Sequence, residues 1–126
     1  LGKGVNQALA GQAVMESYDY WLEADRLAMI PTLDKKGREV VDTKTRANIT
    51  KKMLEYYKNQ ELVKYGIYLN EQRDFEGAFK AFKKHIEIPE LDMMQNEKIQ
   101  KEMPRDSIYT QYKYYAQNFF IFSPLL

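Results

Sequence analysis

The chain of 126 residues is long enough for one compact domain or a few structural repeats, and its 44% of hydrophobic residues can supply a core. Its 19 basic and 18 acidic residues leave a net charge of +1, which offers no basic field for nucleic acid and no acidic field for cations. The chain contains no cysteine, which excludes disulfides and thiol catalysis. No apolar run approaches the roughly 18 residues of a membrane span. From the charge balance we therefore expect no nucleic-acid partner, and from the apolar runs no membrane span.

Helical spacing of apolar residues begins near the N-terminus. We predict a helix over residues 5–30 that is either continuous or interrupted near Gly11. It ends at Pro31, because proline cannot continue the hydrogen bonding of a helix. One side of this helix carries Val14, Ser17, Tyr18, Trp21 and Ala24. That spacing is typical of an amphipathic helix.

A loop and a second helix follow. Residues 31–42 are rich in helix breakers and charge, which predicts an exposed loop. Asp42 or Thr43 can cap the next helix. For the end of that helix two alternatives remain: it runs unbroken to Gln72, or it kinks at residues 58–60. Its apolar side carries Ile49, Met53, Tyr56 and Tyr57.

The central part of the chain consists of two amphipathic halves around a polar hinge at residues 72–74. Asp74 is placed to cap a helix that runs from Phe75 to about residue 88, and Pro89 stops it. The apolar stripe of the first half is formed by Leu62, Tyr65, Gly66 and Leu69. The stripe of the second half is formed by Phe75, Ala78, Phe79, Phe82 and Ile86.

A second connector leads to the last predicted helix. Residues 89–106 contain few apolar residues, so we expect them to be exposed, with one short helix near residues 97–102. Asp106 or Ser107 can then cap a final helix. The apolar side of that helix carries Tyr112, Tyr115, Ala116 and Phe119.

The central part resembles a tetratricopeptide repeat, in which W-x2-L-G-x2-Y on a first helix is followed by A-x3-F and a proline on a second. Two antiparallel helices approach closely only where side chains are small. Gly66 and Ala78 are therefore expected at the helix contact, with Phe75 and Phe82 beside it. The residues that carry the resemblance are Leu62, Tyr65, Gly66, Leu69, Ala78, Phe82 and Pro89.

The resemblance implies an all-α fold, in which antiparallel helix pairs stack as a fragment of an α-solenoid. Residues 31–42 and 89–106 are then insertions, because Gly66 and Ala116 are 50 residues apart instead of the 34 of a plain array. Such inserted connectors favour a bacterial origin. A partial, a central and an incomplete repeat are predicted over about residues 4–30, 59–92 and 107–126.

No pattern in the sequence points to catalysis. His85 is the only histidine and lies on a predicted helix, where packing is the simpler role. No glycine-rich phosphate loop follows a strand. The carboxylates near Pro89 are more typical of a solvated loop than of a cation site. We therefore expect no catalytic residue, no metal and no cofactor.

In tetratricopeptide proteins, the first helices of successive pairs line a concave groove that binds peptides or protein segments. The resemblance therefore implies a partner-binding face opposite the core stripe. Val63 and Ile67 stand where the family's carboxylate-binding groove has Lys and Asn, so a mixed apolar and amide groove is expected. An ordinary solvent surface is the alternative. The candidate residues are Gln60, Val63, Ile67, Asn70, Lys113, Gln117 and Phe120.

The sequence thus predicts a non-enzymatic scaffold that binds a protein or peptide segment. Assembly is one alternative, because a helix over residues 119–122 would point apolar side chains in all directions, which predicts pairing of two copies through residues 112–126. A helical enzyme is the other alternative, and an enclosed pocket with converging polar groups would favour it.

Overall fold

The computed structural model describes residues 3–103, and helices make up most of them. An antiparallel two-stranded ribbon, β1 (Thr32–Leu33) and β2 (Glu39–Val40), joins the first helix to the second. The predicted all-α class is confirmed for these residues, whereas the incomplete repeat at residues 107–126 lies outside them. The α-helices of this part are α1 (Lys3–Ala28), α2 (Thr43–Lys58), α3 (Glu61–Glu71), α4 (Phe75–Glu87) and α5 (Glu97–Lys101).

α1 passes through Gly11 as one continuous helix, so the alternative of an interruption there is wrong. The missing side chain of Gly11 leaves room for the ring of Tyr65, which a Cβ at this position would overlap. Glycine serves here for a close approach between α1 and α3. α1 ends at Ala28, shortly before Pro31 and two residues before the predicted end.

α1 runs antiparallel to the segment formed by α2 and α3, and it packs against both helices. Near the end of α1, the rings of Trp21 and Tyr56 meet edge-on with their centroids 4.6 Å apart. Near the start of α1, Gly11 contacts Tyr65 of α3 instead. The residue number of the contact decreases along α1 while it increases along α2 and α3, so the two segments run antiparallel.

A break at Gln60 separates α2 from α3, so of the two alternatives left open by the sequence the kink is right and the unbroken helix to Gln72 is wrong. Gln60 has a φ of 54°, in the left-handed region. Its N–H donates to the carbonyl oxygen of Tyr57 at 3.1 Å. A left-handed residue directly after a helix redirects the chain. α3 is thereby positioned to pack against both α1 and α4.

α3 and α4 form an extensive antiparallel pair, joined by a tight turn at residues 72–74. Asp74 caps α4 as predicted, and its Oδ1 accepts the N–H of Gly77 at 3.0 Å. The ring of Phe82 covers Gly66, where an added Cβ would overlap it, and Ala78 is fully buried. The predicted close approach at small residues is therefore confirmed, with Phe82 as the direct partner of Gly66.

The buried apolar residues form two clusters. His85 is 1% exposed, and its ring stacks on that of Tyr57 with their centroids 4.6 Å apart, which fits the packing role expected for it. The first core contains Tyr18, Ile49, Met53, Tyr57, Leu62, Ile88, Met93, Met94 and Met103. The second core lies between α3 and α4 and contains Val63, Leu69, Ala78 and Phe82.

The expectation that residues 89–106 are exposed is only partly right for their described part, because exposed positions such as Glu90 and Gln95 alternate with buried ones. Pro89 is buried, and Met93, Met94 and Met103 are buried members of the first core. The chain here forms short 3-10 turns at Ile88–Glu90 and Asp92–Met94, followed by α5, which confirms the predicted short helix. Its methionines follow neither a helical nor a strand period, so their burial left no pattern in the sequence.

The other connector is exposed, as predicted, although it contains the ribbon in place of an irregular loop. Leu33 in β1 is 70% exposed. Asp34 closes the turn of the ribbon, because its Oδ1 accepts the N–H groups of Lys36 at 2.8 Å and Arg38 at 2.9 Å. These bonds, chiefly that from the N–H of Arg38, hold the pKa of Asp34 below its usual value. The turn is thus ordered by local hydrogen bonds and not by burial.

Candidate functional site

The partner-binding face predicted on α3 is only partly open. Val63 is 5% exposed and packs with Phe82 in the second core, so the expectation that its side chain faces a partner is wrong. Ile67 is half-buried against the same core. The physical reason is that α3 packs against α1, α2 and α4, so apolar residues on more than one of its sides are covered.

Two further residues of that face lie in the described part of the chain, which does not join them into a groove. Gln60 is half-buried at the break between α2 and α3. Asn70 is half-buried, and its Oδ1 is shielded from solvent without a hydrogen-bond partner among residues 3–103. Lys113, Gln117 and Phe120 lie outside the described residues. A groove formed by these positions therefore stays a prediction.

An open cleft of about 550 Å³ lies between α2 and the chain that follows α4, and we call it the α2 cleft. Apolar side chains on both walls, with polar groups between them, are the composition expected of a binding site. The apolar lining consists of Ala47 and Leu54 on α2 and of Met93 and Ile99 on the opposite wall. The polar lining consists of Thr43, Arg46, Thr50, Lys51, Asp92, Gln95 and Asn96.

The α2 wall begins at a well-defined helix cap. The carboxylate of Asp42 accepts the backbone N–H of Thr45 at 3.0 Å and the Thr45 hydroxyl at 2.6 Å. These two bonds, the hydroxyl bond first, hold the pKa of Asp42 below its usual value. The cap fixes the start of the helix and hence the direction of the wall. The residues that face the cleft then recur at helical spacing, as Thr43, Ala47, Thr50 and Leu54.

The opposite wall is irregular backbone held by two glutamine side chains. Gln95 Nε2 donates to the carbonyl oxygens of Pro89 at 2.9 Å and Leu91 at 3.0 Å. Gln100 Nε2 donates to those of Pro89 at 3.0 Å and Met94 at 2.9 Å. Both side-chain amides share the carbonyl oxygen of Pro89. Their second bonds go to carbonyl oxygens that also accept a backbone N–H, and together these bonds give the wall a fixed shape.

Arg46 lines the α2 cleft and also joins α2 to α1. Its Nε and Nη2 donate to the two carboxylate oxygens of Asp25 at 3.1 and 3.0 Å, and Asp25 is only 7% exposed. The hydrogen bonds with Asp25 raise the pKa of Arg46, and the charge of Asp92 adds to the effect. A guanidinium held at two points serves the α1–α2 contact more than it serves a ligand.

The remaining cations of α2 give this side of the molecule a positive charge. α2 contains five basic residues and one acidic residue. Lys51 lines the cleft, and Lys44 lies two turns earlier on the same side of the helix. Lys44 and Lys51 are exposed and form no ion pair with any residue of 3–103. Lys58 pairs with Glu102 at 3.7 Å.

Within residues 3–103, side chains suited to metal ligation do not gather in groups of three or more. His85 lies in the core against Tyr57 and does not line the α2 cleft. Over the same residues, no helix combines the length and the apolar composition that crossing a bilayer requires. The α2 cleft offers apolar contact, with the ammonium group of Lys51 on the α2 wall and the carboxylate of Asp92 on the opposite wall.

Sequence reasoning missed the α2 cleft because one of its walls lies in residues 89–106, which were expected to be exposed. The available signal was the pair Met93-Met94 so close to Pro89, since adjacent large apolar residues in a solvated loop are unusual.

Comparisons of the chain with protein-family models, with curated proteins and with solved structures find no match.

Proposed function

We propose that this chain is a helical-repeat scaffold of the tetratricopeptide type, which binds a segment of another protein and catalyses no reaction. The observation that carries the proposal is the α3–α4 pair, in which the ring of Phe82 lies over Gly66. The family's sequence pattern reflects this packing, in which a large residue of one helix lies over a small residue of its antiparallel neighbour. The geometry therefore supports the resemblance that the sequence suggested.

The α2 cleft is the surface that suits this role best. Its volume of about 550 Å³ lies within the range of roughly 300–1,000 Å³ that ligand pockets occupy. Ala47 and Met93 can contact an apolar anchor side chain, and Lys51 can contact a carboxylate beside that anchor. Both walls are held before any partner arrives, which lowers the ordering cost of binding.

A displayed library of random peptides tests the proposal. The chain is used to select binding peptides, and the affinity of the selected peptides is measured by fluorescence anisotropy. Ala47 is exposed, so Ala47→Arg would place a long side chain in the α2 cleft without entering the core. We expect it to weaken binding at least about tenfold, which corresponds to about 1.4 kcal/mol.

Asn48→Arg is the matched control. Asn48 is the next residue of α2, is exposed and does not line the cleft, so the same added charge should leave peptide affinity unchanged. Circular dichroism of both variants confirms that the helices are retained. Failure to select any peptide, or an equal loss of affinity in both variants, would contradict peptide binding in the α2 cleft.

A further inference from the structure

α1 carries apolar residues on two opposite sides. Its inner side packs against α2 and α3 through residues such as Gly11 and Tyr18. A helix at the surface of a domain ordinarily shows a polar outer side, and aligned exposed apolar residues indicate a contact surface. The outer side of α1 instead carries Val5, Leu9, Tyr20 and Leu27, which are 45%, 57%, 70% and 53% exposed.

Two carboxylates lie on the same outer side. Glu16 and Glu23 are exposed and seven residues apart, which places them two turns or roughly 10.5 Å from each other along the helix axis. Tyr20 stands between them. Glu23 also pairs with Arg26 at 2.6 Å, but both side chains are largely exposed, and such surface pairs contribute little. The outer side of α1 is thus apolar and acidic.

The side of α2 that borders the cleft shows the complementary arrangement, although Lys51 lines the cleft and Lys44 does not. Lys44 and Lys51 are also seven residues apart on one helix side, so their spacing along the axis is again roughly 10.5 Å. Ala47, a small residue that lines the cleft, stands between them. One surface therefore presents a large aromatic residue between two carboxylates, and the other presents a small residue between two lysines at the same spacing.

We propose that the α2 cleft receives the outer side of α1 from a second copy of this chain. Tyr20 of one copy enters the cleft over Ala47 of the other, and the two carboxylates of α1 face the two lysines of α2. This inference rests on the proposed function, because it names the partner of the same site. The two surfaces differ, so the contact is head-to-tail and can continue from copy to copy.

Sedimentation velocity of the full chain, over a range of concentrations, tests this assembly. The mean sedimentation coefficient should rise with concentration and fall with added salt, because opposite charges meet across the contact. The double substitution Lys44→Glu with Lys51→Glu should weaken association at least tenfold. Glu16→Lys with Glu23→Lys should do the same. All four residues are exposed, so the fold should be retained.

Mixing the two double variants provides the decisive measurement. Either double variant by itself places charges of the same sign on both sides of the contact. In the mixture, the charges of one variant face opposite charges of the other, so the chains should associate again. Reversal of Lys80 and Lys83 on α4, which are exposed and lie away from the α2 cleft, is the control that should leave association unchanged. A monomeric wild-type chain at every concentration overturns the assembly, as does association that persists in both double variants.

The peptide experiment separates this failure from that of the proposed function. If the chain stays monomeric while Ala47→Arg still abolishes the binding of selected peptides, the α2 cleft binds another partner and only the self-docking is wrong. If the charge-reversed mixture associates while no peptide can be selected, the cleft serves assembly and general peptide binding is wrong.

Discussion

Gly66 has no side chain, and the ring of Phe82 occupies the space that a Cβ would need. Phe82 is fully buried, so its ring cannot turn into solvent. Replacing glycine with alanine inside a helix normally stabilises it by up to about 1 kcal/mol. Here we predict the opposite sign: Gly66→Ala should destabilise the fold by about 1–3 kcal/mol through overpacking, as measured by urea unfolding.

A second substitution separates this overlap from other effects. Phe82→Leu shortens the ring side chain, so the double variant with Gly66→Ala should lose less stability than the two single losses added together. Strictly additive losses would show that the two residues do not share the contact. Stabilisation by Gly66→Ala alone would show that the ring moves aside at little cost.

The turn that follows α3 contains a left-handed residue that is not glycine. Arg73 has a φ of 61°, and its N–H donates to the carbonyl oxygen of Asn70 at 3.1 Å. The N–H of Asp74 donates to that of Leu69 at 2.9 Å, which completes the paired bonds of a helix C-cap that favours glycine. Arg73→Gly should therefore stabilise the fold by roughly 1 kcal/mol.

Thermal unfolding of the Arg73 variant provides the measurement, with Gln72→Gly as its control. Gln72 has a φ of −81°, which any residue adopts, so glycine there adds only chain entropy to the unfolded state and should lower Tm. If both variants lower Tm, the arginine side chain contributes a contact that outweighs its backbone strain.

The two connectors of the chain should differ in their resistance to protease. The ribbon turn at residues 34–38 is held by local hydrogen bonds and by the Arg38–Asp34 ion pair, whereas Met93, Met94 and Met103 anchor the second connector in the first core. Cleavage needs local unfolding of several residues, which the buried methionines oppose.

Within residues 3–103, the first tryptic cleavage should therefore fall at Lys35, Lys36 or Arg38. Mass spectrometry of early digestion products identifies the sites. Earlier cleavage at Lys98 or Lys101 would contradict the burial of the second connector.

Elements defined by local chemistry could be predicted from the sequence. Asp42 and Asp74 identified two helix starts, and Pro31 marked the end of α1, because caps and breakers act within a few residues. The second connector could not be predicted in this way. The side-chain amides of Gln95 and Gln100 donate hydrogen bonds to irregular backbone, whose course depends on how the helices pack.

The candidate site shows the same division. The apolar stripe of α3 predicted one packed side, but Val63 on another side is also buried, because α3 has neighbours on several sides. The α2 cleft has one wall on a predicted helix, where Ala47 and Lys51 follow helical spacing. Its other wall is irregular, so no period in the sequence could reveal it.

At the scale of the whole molecule, the two cores meet on α3. Leu62 belongs to the first core, and its neighbour Val63 belongs to the second. In a plain repeat array each unit contacts only its neighbours, and partial unfolding from one end is common. Because a single short helix contributes to both cores here, neither core can lose α3 without exposing apolar residues of the other. We therefore expect residues 3–103 to unfold in one cooperative transition.

Trp21 allows this coupling to be measured. It is the only tryptophan, it packs on Tyr56 in the α1–α2 contact, and it therefore reports the region of the first core. Val63→Ala removes buried methyl groups from the second core and should destabilise the fold by about 2 kcal/mol. If the cores are coupled, Val63→Ala lowers the urea midpoint measured by Trp21 fluorescence and the urea midpoint measured by circular dichroism by the same amount. Leu33→Ala, on the exposed ribbon, should move neither midpoint. A Trp21 midpoint that stays at its wild-type value while the circular dichroism transition shifts would show that the cores unfold separately.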